Sequence, residues 1–507
     1  MMPRYTRARS MRTVYCILRR NSANRTETQD CYKMGVSYVS DRISKANMLL
    51  LILVCLAQFL EVMNSSTVTV AIPSIQSALH MEATQLQWIV TSYVLTFACF
   101  LLIGGRASDL IGRKRVLTLG LAIFAAASLA GGFAVNPVWL IASRAIQGIG
   151  AALSIPAAMS LISTSIPEGA QRNKAFAIFG ALGSGGFAAG SIVGGLLTDS
   201  VGWRSLFFLN VPIGIAIMIG LMFVKERPVE KKKKQSIDLP GAIAVLLGIF
   251  VLVYGLSMND VDGSWPAAKI GTLIAGAVIL VGFVFIEKYA KNPLMPLRLF
   301  RIGSLVSSNM IGFLMYSFMT AFIYFSTLYF HALGYSSLAT GLAFLPLGLS
   351  SVLATQITPY FMRIFGAKML LIVSQLVNAL GLFWLSAMSM DSVYAAFILP
   401  VFILLGLSTA AGFTAIIVGS VRDVRPEEHG VAGGIVNTFL QLGGSLGLSI
   451  LATVASSVTA SATDPSSNEA MLSGFQTALV AGGCFALFAL LLALLSLGKK
   501  KAALRNA

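Results

Sequence analysis

Fourteen long apolar runs divide this chain, and each is about as long as a helix that crosses a lipid bilayer. Such a helix needs about 20 mostly apolar residues, because it rises only about 1.5 Å per residue. Transmembrane β-strands are excluded by length, since they need only about 10 alternating residues. Charged residues, proline, or clusters of glycine, aspartate and serine bound the runs, which lie at residues 47–72, 87–105, 116–134, 138–164, 175–197, 205–224, 239–258, 268–287, 303–330, 338–361, 369–388, 394–418, 431–457 and 473–497.

Composition excludes the soluble classes of protein. Only 11% of the 507 residues are charged and 56% are hydrophobic, whereas about a quarter of the residues of a soluble protein are charged. The apolar content is too high for a disordered chain, and the five cysteines are too scattered for a disulfide scaffold. We therefore predict an all-α polytopic membrane protein.

The positive charge of the chain follows the predicted topology. With the N-terminus in the cytoplasm, all but three of the 37 Lys and Arg residues fall in the head, the tail or loops on the cytoplasmic side. Of those three, Arg204 and Lys269 lie on the other side and Arg144 lies within a run. Because Lys and Arg set the orientation of short loops, this distribution predicts an inner-membrane protein with both termini cytoplasmic.

The net charge of +17 therefore needs no nucleic-acid partner. The four consecutive lysines at 231–234 can be interpreted as a patch for nucleic acid or anionic lipid. We favour a solvated loop that links two halves of the chain.

Two ionisable residues stand out inside the apolar runs. Glu61 lies in the first run and Arg144 in the fourth. An ionisable group at the centre of a bilayer costs at least about 2.5–3.5 kcal/mol, so such residues face a bundle interior or a water-filled cavity. Gln58, Glu61 and Asn64 are spaced by three residues and share one helix face. Each of the two charges has two interpretations: a structural tie to a neighbouring helix, or a group that acts in function.

Three further patterns accompany these charges. The loop at 105–115 reads GRASDLIGRKR, in which Gly105 and Gly112 permit a tight turn and Asp109 suits the positive end of a helix dipole. The fourth run contains RAIQG at 144–148. The fifth run has glycines at spacings of three and four that allow close helix packing, among them Gly186, Gly190, Gly194 and Gly195.

Together these patterns resemble the major facilitator superfamily, and within it the fourteen-span drug:proton antiporters. The resemblance covers nearly all of residues 46–497. The loop at 105–115 resembles the family's loop motif, RAIQG its fourth-span motif, and the glycines at 186–195 its antiporter motif. The stretches WRSLFFLNVPIG at 203–214 and PEEHGVAGGIVNTFLQLGGSLG at 426–447 are similar to sequences typical of this branch.

The resemblance implies two six-helix bundles with two extra helices inserted between them. The bundles would occupy 47–224 and 303–497, and 225–302 would hold a basic loop and the extra pair. The head 1–46 is expected to be disordered and cytoplasmic, and the tail 498–507 to be cytoplasmic. Substrate would bind near the midplane between bundles that rock against each other.

The resemblance also suggests roles for individual residues. The loop motif, Gly105, Asp109, Gly112 and Arg113, would stabilise one conformational state, and the glycines from Gly186 to Gly195 would form a seam that slides or opens. Arg144 would take part in proton coupling. We place Glu61, Asn64, Arg144 and Gln147 at the proton-coupling site or in the substrate cavity.

Two departures from the family pattern bear on the mechanism. Asn64 stands where the first-span motif normally has Asp, and an amide cannot carry a proton; Thr69 stands where it has Asn. Glu61, one turn earlier, could replace that acid, which is our own inference. Ser191 replaces the usual proline after Gly190, which removes a kink-forming residue and weakens the argument for export.

We therefore expect a monomeric, proton-coupled exporter of small amphipathic compounds, with no cofactor and no enzymatic activity. A Met and Phe stripe in the ninth run is either a cavity wall or packing: Met315, Phe318, Met319, Phe322 and Phe325. The alternative within transport is a solute-specific carrier or uniporter for a metabolite, siderophore or lipid. A respiratory proton-pumping subunit or membrane enzyme fits poorly, because every Lys is assigned to a loop, head or tail, the three His are far apart, and no phosphate-binding loop motif is present.

Overall fold

The computed structural model describes residues 45–167, 169–224, 238–258, 266–290, 293, 295–425, 428–464 and 467–496. Nearly all of the predicted head, the lysines at 231–234 and the predicted tail lie outside this part of the chain. The described residues form helices and no strand. The α-helices are α1 (Lys45–Val70), α2 (Ile72–Leu79), α3 (Ala83–Ile111), α4 (Arg113–Gly132), α5 (Pro137–Ser165), α6 (Ala170–Ser200), α7 (Arg204–Met222), α8 (Leu239–Leu256), α9 (Ala267–Tyr289), α10 (Gly303–Ala332), α11 (Ser337–Ala343), α12 (Leu345–Leu385), α13 (Leu399–Val421), α14 (His429–Ala460) and α15 (Asn468–Ser496).

Short turns of other helix types complete the architecture. A 3₁₀-helix at Leu297–Arg301 leads into α10, and a π-helix at Tyr394–Ile398 leads into α13. Only residues 135–137 separate the third and fourth predicted runs, and the boundary between the two helices there is well formed. Asn136 caps α5 there by accepting a hydrogen bond from the Trp139 backbone N–H at 2.9 Å.

The fourteen predicted spans are confirmed. Twelve helical segments of the described chain are long and apolar enough to cross a membrane. One of them, Ser337–Leu385, holds two spans, because the chain leaves helical geometry and reverses at Gly366, whose φ of +77° is a value that glycine adopts readily. The shorter apolar helix Pro240–Leu256 supplies the fourteenth span.

Lys269 departs clearly from its predicted place in a loop. Helix α9 begins at Ala267, so Lys269 lies in its first turn, and its side chain is fully buried. The prediction that every lysine lies in a loop, the head or the tail is therefore wrong at this position, and Lys114, Lys174, Lys288 and Lys368 also lie within helix bounds. The cause at Lys269 is that the helix starts directly after Pro266, which occupies its N-cap position.

The helices pack as two six-helix bundles with an inserted pair. In the first half, α3 packs on α5, α4 on α5 and α7, and α1 on α6. In the second half, the two arms of α12 pack on α13 and α15, and α10 packs on α14. The inserted helices α8 and α9 pack on each other, and α8 also contacts α3 and α14. The halves meet where α3 contacts α14 and where α6 contacts α11 and α12.

The two ends of the bundle differ in charge. The alternating helices bring their ends and the described residues between them, around 106–115, 169–174, 288–290, 295–302, 363–368 and 422–425, to one end. These contain most of the Lys and Arg residues of the described helix ends and connections. We call this the basic end. The other end carries the connections that follow α6 and precede α11.

Candidate functional site

Arg144 is held in the interior of the first half. Only 1% of its surface is exposed, on helix α5. Its Nε donates to the backbone oxygen of Ile89 at 3.0 Å, and its Nη1 donates to Oε1 of Gln147 at 2.8 Å. Its guanidinium carbon lies 4.3 Å from the centre of the Tyr93 ring, which is the geometry of a cation–π contact. These contacts compensate for the loss of water around a buried cation.

Glu61 contacts the same tyrosine as Arg144 does. The Tyr93 hydroxyl donates to Oε1 of Glu61 at 2.9 Å, so one side chain contacts both the carboxylate and the guanidinium. Glu61 is half-buried, whereas Tyr93 is buried. Among the ion pairs found within the described residues, none joins Glu61 directly to Arg144. The acid and the base of this site are thus coupled through an aromatic ring.

A buried amide network extends from Arg144. Gln147 donates from Nε2 to the hydroxyl oxygen of Ser128 on α4 at 2.5 Å, and to Oδ1 of Asn64 on α1 at 3.5 Å. Asn210 on α7 donates from Nδ2 to that same Asn64 oxygen at 2.8 Å. All four side chains are fully buried, so the network joins four helices through uncharged groups. Asn64 lies inside this network.

Gly148 explains why Arg144 can reach its partners. A Cβ atom at this position would overlap the backbone oxygen of Tyr93 and the hydroxyl of Thr96 on α3. Because that atom is absent, α5 approaches α3 closely, and the Thr96 hydroxyl donates to the backbone oxygen of Ala145 at 2.7 Å. The RAIQG stretch thus combines a cation, its amide partner and the glycine that brings two backbones together.

The polar stripe predicted on α1 separates into three environments. Asn64 is enclosed by the network, Glu61 is half-buried beside Tyr93, and Gln58 lies near Gly183 on α6. Across from Glu61, Tyr316 of α10 is half-buried and lies within electrostatic range of the carboxylate. Glu61 therefore lies within electrostatic range of a side chain of the second half, whereas Asn64 is enclosed by side chains of the first half.

Sequence reasoning missed three residues of this site: Tyr93, Ser128 and Asn210. Asn210 carried a usable signal, because it is an amide in the apolar stretch RSLFFLNVPIG. Tyrosine and serine are common in apolar helices, so Tyr93 and Ser128 had no such signal. The Met and Phe stripe is mostly packing, since Met315, Phe318, Phe322 and Phe325 are buried in the core and only Met319 is half-buried.

Of the predicted loop motif, only Gly112 forms the turn between α3 and α4, since Gly105 and Asp109 lie within α3 and Arg113 begins α4. The prediction that Gly105 permits a tight turn is therefore wrong. Gly112 has φ of +111°, a conformation that L side chains rarely adopt. Arg113 donates from Nε to the Ser160 hydroxyl on α5 at 2.8 Å. The side chain of Asp109 is 68% exposed, and its Oδ1 lies 3.9 Å from Nη2 of Arg113. Gly105 is in ordinary contact with Pro156, at 3.9 Å from the position of a Cβ atom, so close packing does not require glycine there.

Sequence comparison identifies the family of this chain. A family model described as Major Facilitator Superfamily matches residues 54–448. The chain belongs to the major facilitator superfamily. It is 37% identical to the cephamycin export protein CmcT of Amycolatopsis lactamdurans, over 81% of this chain and 85% of that protein. It is 33% identical to the puromycin resistance protein pur8 of Streptomyces alboniger, over 81% of this chain and 82% of that protein.

Solved structures agree on the fold of this facilitator. The crystal structure of a D-xylose-proton symporter superposes with a TM-score of 0.63 and covers 89% of this chain and 98% of its own. The sequence identity is 15%, so this similarity shows the fold alone.

The glycines of the facilitator's fifth span contact two different partners. Gly186, Gly190 and Gly194 face α1 of the same half. A Cβ atom would lie 3.1 Å from the Phe59 backbone oxygen at Gly186 and 2.7 Å from the Met63 backbone oxygen at Gly190. At Gly194 it would lie 2.7 Å from the Cα of Thr67. Gly195 instead faces the second half, where a Cβ atom would lie 2.6 Å from the Leu338 Cα. In this conformation only Gly195 of the predicted seam lies between the two halves.

The two halves are joined at the end opposite the basic end. The Asp199 carboxylate, at the end of α6, accepts hydrogen bonds from the backbone N–H groups of Ser337 at 3.1 Å and Leu338 at 2.9 Å, in the first turn of α11. Closer to the basic end, a Cβ atom on Gly185 or Gly180 would have nothing within 4 Å. The two halves are thus in contact at the end opposite the basic end, and α6 is less covered toward the basic end.

Proposed function

We propose that this facilitator exports small amphipathic compounds in exchange for protons, and that Glu61 is the group that exchanges them. The observation that carries this proposal is a half-buried carboxylate within a membrane-spanning helix, joined to a buried Arg144 through Tyr93. The names of the relatives support export, since one is a cephamycin export protein and another a puromycin resistance protein.

Protonation of Glu61 is the central step of this mechanism. The ionised carboxylate attracts a cationic part of the substrate from the cavity and accepts the Tyr93 hydrogen bond. A proton that arrives from outside neutralises the carboxylate, weakens both interactions and releases the substrate outward. Each charge that moves down the membrane potential supplies about 2.3 kcal/mol per 100 mV. Asn64 cannot take this role, because an amide does not bind a proton in this pH range.

The direction of the chain in the membrane is part of the proposal. We place the basic end in the cytoplasm, with both termini, because Lys and Arg are retained on that side. The residues at 47–224 and 303–497 then form the bundles that rock against each other. A single copy holds the complete site, since Glu61, Tyr93, Arg144 and the amide network all come from one chain.

A second candidate is a solute-specific carrier or uniporter, and Asn64 favours it. The position that normally holds the first-span acid is occupied by an amide in an uncharged network, which has no need of a proton. Membership of a transporter family supports either form of transport over the enzyme and respiratory-subunit alternatives.

Transport in vesicles tests the proposal. The purified protein is reconstituted, a pH gradient is imposed, and movement of cationic dyes, neutral drugs, a cephamycin and puromycin is followed with and without a protonophore. We expect transport of several compounds that stops when the protonophore is added. Transport of a single compound that is unaffected by the protonophore would favour the uniporter.

A further inference from the structure

The inserted helices lie beside the seam where α3 of the first half meets α14 of the second. Helix α8 contacts both α3 and α14. When the two bundles rock, α3 and α14 shift against each other, so α8 cannot keep all of its contacts with both helices. The half that holds α8 more firmly therefore carries the inserted pair.

A buried amide fixes α8 to α3 at the end opposite the basic end. Gln87 on α3 is buried, and its Nε2 donates to the hydroxyl of Ser257, directly after α8, at 2.8 Å. The other amide atom, Oε1 of Gln87, has no hydrogen-bond partner within the described part of the chain. Separation of α8 from α3 would leave this whole amide unpaired, which is costly for a buried polar group.

An apolar cluster continues the contact along α3. Among the described residues, its buried members come only from α3 and α8: Leu95, Cys99, Ile249 and Val253. The rings of Trp88 on α3 and Phe250 on α8 add a contact, with their centres 5.7 Å apart. Leu442 and Leu446 of α14 are only partly buried and pack against this cluster. Packed helices slide over such apolar contacts in shear motions.

The hydrogen bond from α14 to α8 is easily replaced. The Thr453 hydroxyl lies 2.8 Å from the backbone oxygen of Leu256, at the end of α8, and also 2.8 Å from the backbone oxygen of Ser449 in its own helix. If α14 moves along α8, the hydroxyl keeps its acceptor at Ser449, so the donor stays paired. The contact with α14 is therefore cheaper to break than the contact of Gln87 with α8.

Charged groups fix the pair to α3 at the basic end. Arg106 of α3 is half-buried and donates from Nη2 to the backbone oxygen of Pro293, in the connection that follows α9. It also lies within electrostatic range of Glu287 on α9 and of Asp238 at the start of α8. Each helix of the pair thus supplies a carboxylate to the surroundings of one guanidinium.

Backbone groups hold these two carboxylates in place. Glu287 is buried, and its Oε2 accepts a hydrogen bond from the Met295 N–H at 3.1 Å. Asp238 accepts through Oδ1 from the Gly241 N–H at 3.0 Å. A Cβ atom at Gly241 would lie 2.7 Å from Oδ2 of Asp238 and 3.1 Å from Oε1 of Glu287, so both carboxylates adjoin the same turn of α8. Separation of α9 from α3 would remove a cation from this acidic pair, which is unfavourable.

We propose that the inserted pair is mechanically part of the first half: α8 and α9 move with α3 as one rigid body, and α8 slides against α14. Gln87 and Arg106 are positioning residues that anchor the pair, one toward each end of α3. This inference rests on the proposed function in one respect, namely that the two bundles rock against each other.

Cross-links that fix α8 to either half test the inference. In a background without reactive cysteines, Trp88→Cys with Phe250→Cys joins α8 to α3, and Leu256→Cys with Thr453→Cys joins α8 to α14. The same short bis-methanethiosulfonate reagent links both pairs, and a reducing agent reverses each link. We expect transport of a cationic dye in vesicles to continue with the first link, to stop with the second, and to return on reduction.

Every other pattern would overturn the inference. Loss of transport with the first link alone would show that the pair moves with the second half. Loss with both links would show that it moves relative to both halves, and loss with neither would show that α8 does not slide against α14.

Spin-label distances give a readout that needs no transported compound. The exposed positions Leu119 on α4, Leu380 on α12 and Val281 on α9 are labelled two at a time, with and without Asp199→Asn to change the populated state. We expect the distances from Leu380 to both other labels to shift, and the distance from Leu119 to Val281 to stay constant. A shift in that last distance would overturn this inference alone, whereas a constant distance from Leu119 to Leu380 would contradict the rocking itself.

The anchor at the basic end is tested by its charge. Arg106→Gln should broaden the distance distribution between labels at Leu119 and at Tyr289, the exposed last residue of α9, about twofold, because that end of α9 is released. Arg106→Lys should restore most of the original width. Arg301→Gln, at an exposed Arg of the same end, is the control and should have no effect. An unchanged width in Arg106→Gln would overturn the assignment of Arg106 as an anchor.

Discussion

Tyr93 donates its hydroxyl hydrogen to the Glu61 carboxylate across 2.9 Å. Since the same ring lies against the guanidinium of Arg144, a change in the charge of Glu61 acts on Arg144 through one intermediate side chain. The amide network behind Arg144 extends this connection to α1, α4 and α7. The site thus joins a half-buried acid to the packing of four helices.

Replacement of the acid tests its role directly. We expect Glu61→Gln to abolish efflux driven by a pH gradient in energised vesicles while expression stays normal, because glutamine keeps the shape but cannot bind the proton. The matched control is Glu469→Gln, since Glu469 is an exposed acid in the first turn of α15. Normal transport by Glu61→Gln would remove this residue from the mechanism.

The tyrosine can be altered in two steps. Tyr93→Phe removes the donor to Glu61 and keeps the ring beneath Arg144, so we expect impaired gradient-driven transport and a loss of only about 1 kcal/mol of stability. Tyr93→Leu also removes the cation–π contact, which adds about 2 kcal/mol of destabilisation. Thermal unfolding in detergent compares the two variants. Full transport by Tyr93→Phe would show that the hydroxyl is dispensable.

An acid restored at the neighbouring position should rescue the loss of Glu61. In the Glu61→Gln background, we expect Asn64→Asp to recover part of the gradient-driven transport, because Asn210 and Gln147 already donate to the oxygen at that position. Asn64→Leu is the contrasting variant, since it leaves buried amides unpaired at a cost of about 1–3 kcal/mol. A double variant that folds but stays inactive would show that the acid must stand at Glu61.

A methyl group at Gly148 should separate α3 from α5. We expect Gly148→Ala to lower stability by about 1–3 kcal/mol, because its Cβ would overlap the Tyr93 backbone. Gly282→Ala is the control, since nothing lies within 4 Å of a Cβ atom at Gly282 on α9. The melting temperatures of the two purified variants give the comparison, and equal values would contradict the close contact.

We expect the hydrogen bonds of Asp199 to stabilise the conformational state in which the two halves are in contact at the end opposite the basic end. Asp199→Asn weakens the acceptor for the N–H groups of Ser337 and Leu338, so we expect the population of the opposite state to rise about fivefold. Distances between spin labels at Val201 and His331, in a background without reactive cysteines, report this shift. Asp391→Asn, at another exposed aspartate, should leave the distances unchanged.

Much of the fold follows from the sequence because run length alone determines which segments can span a bilayer. The two charges of the site were identifiable for the same reason, since Glu61 and Arg144 interrupt apolar runs. Their connection was not, because Tyr93 on α3 resembles many tyrosines in apolar helices until the helices are packed. The glycines show the same limit: their spacing predicts close contact, but only the packed structure assigns Gly194 to α1 and Gly195 to α11.

The contacts of Gly186, Gly190 and Gly194 have one more consequence. They hold the backbones of α1 and α6 together over more than two turns, so these helices form a stiff pair. Helix α1 contains Glu61, and α6 ends in Asp199. The pair therefore moves as one rigid unit that contains both Glu61 and the Asp199 contact with α11. A displacement at Asp199 must then displace Glu61 as well.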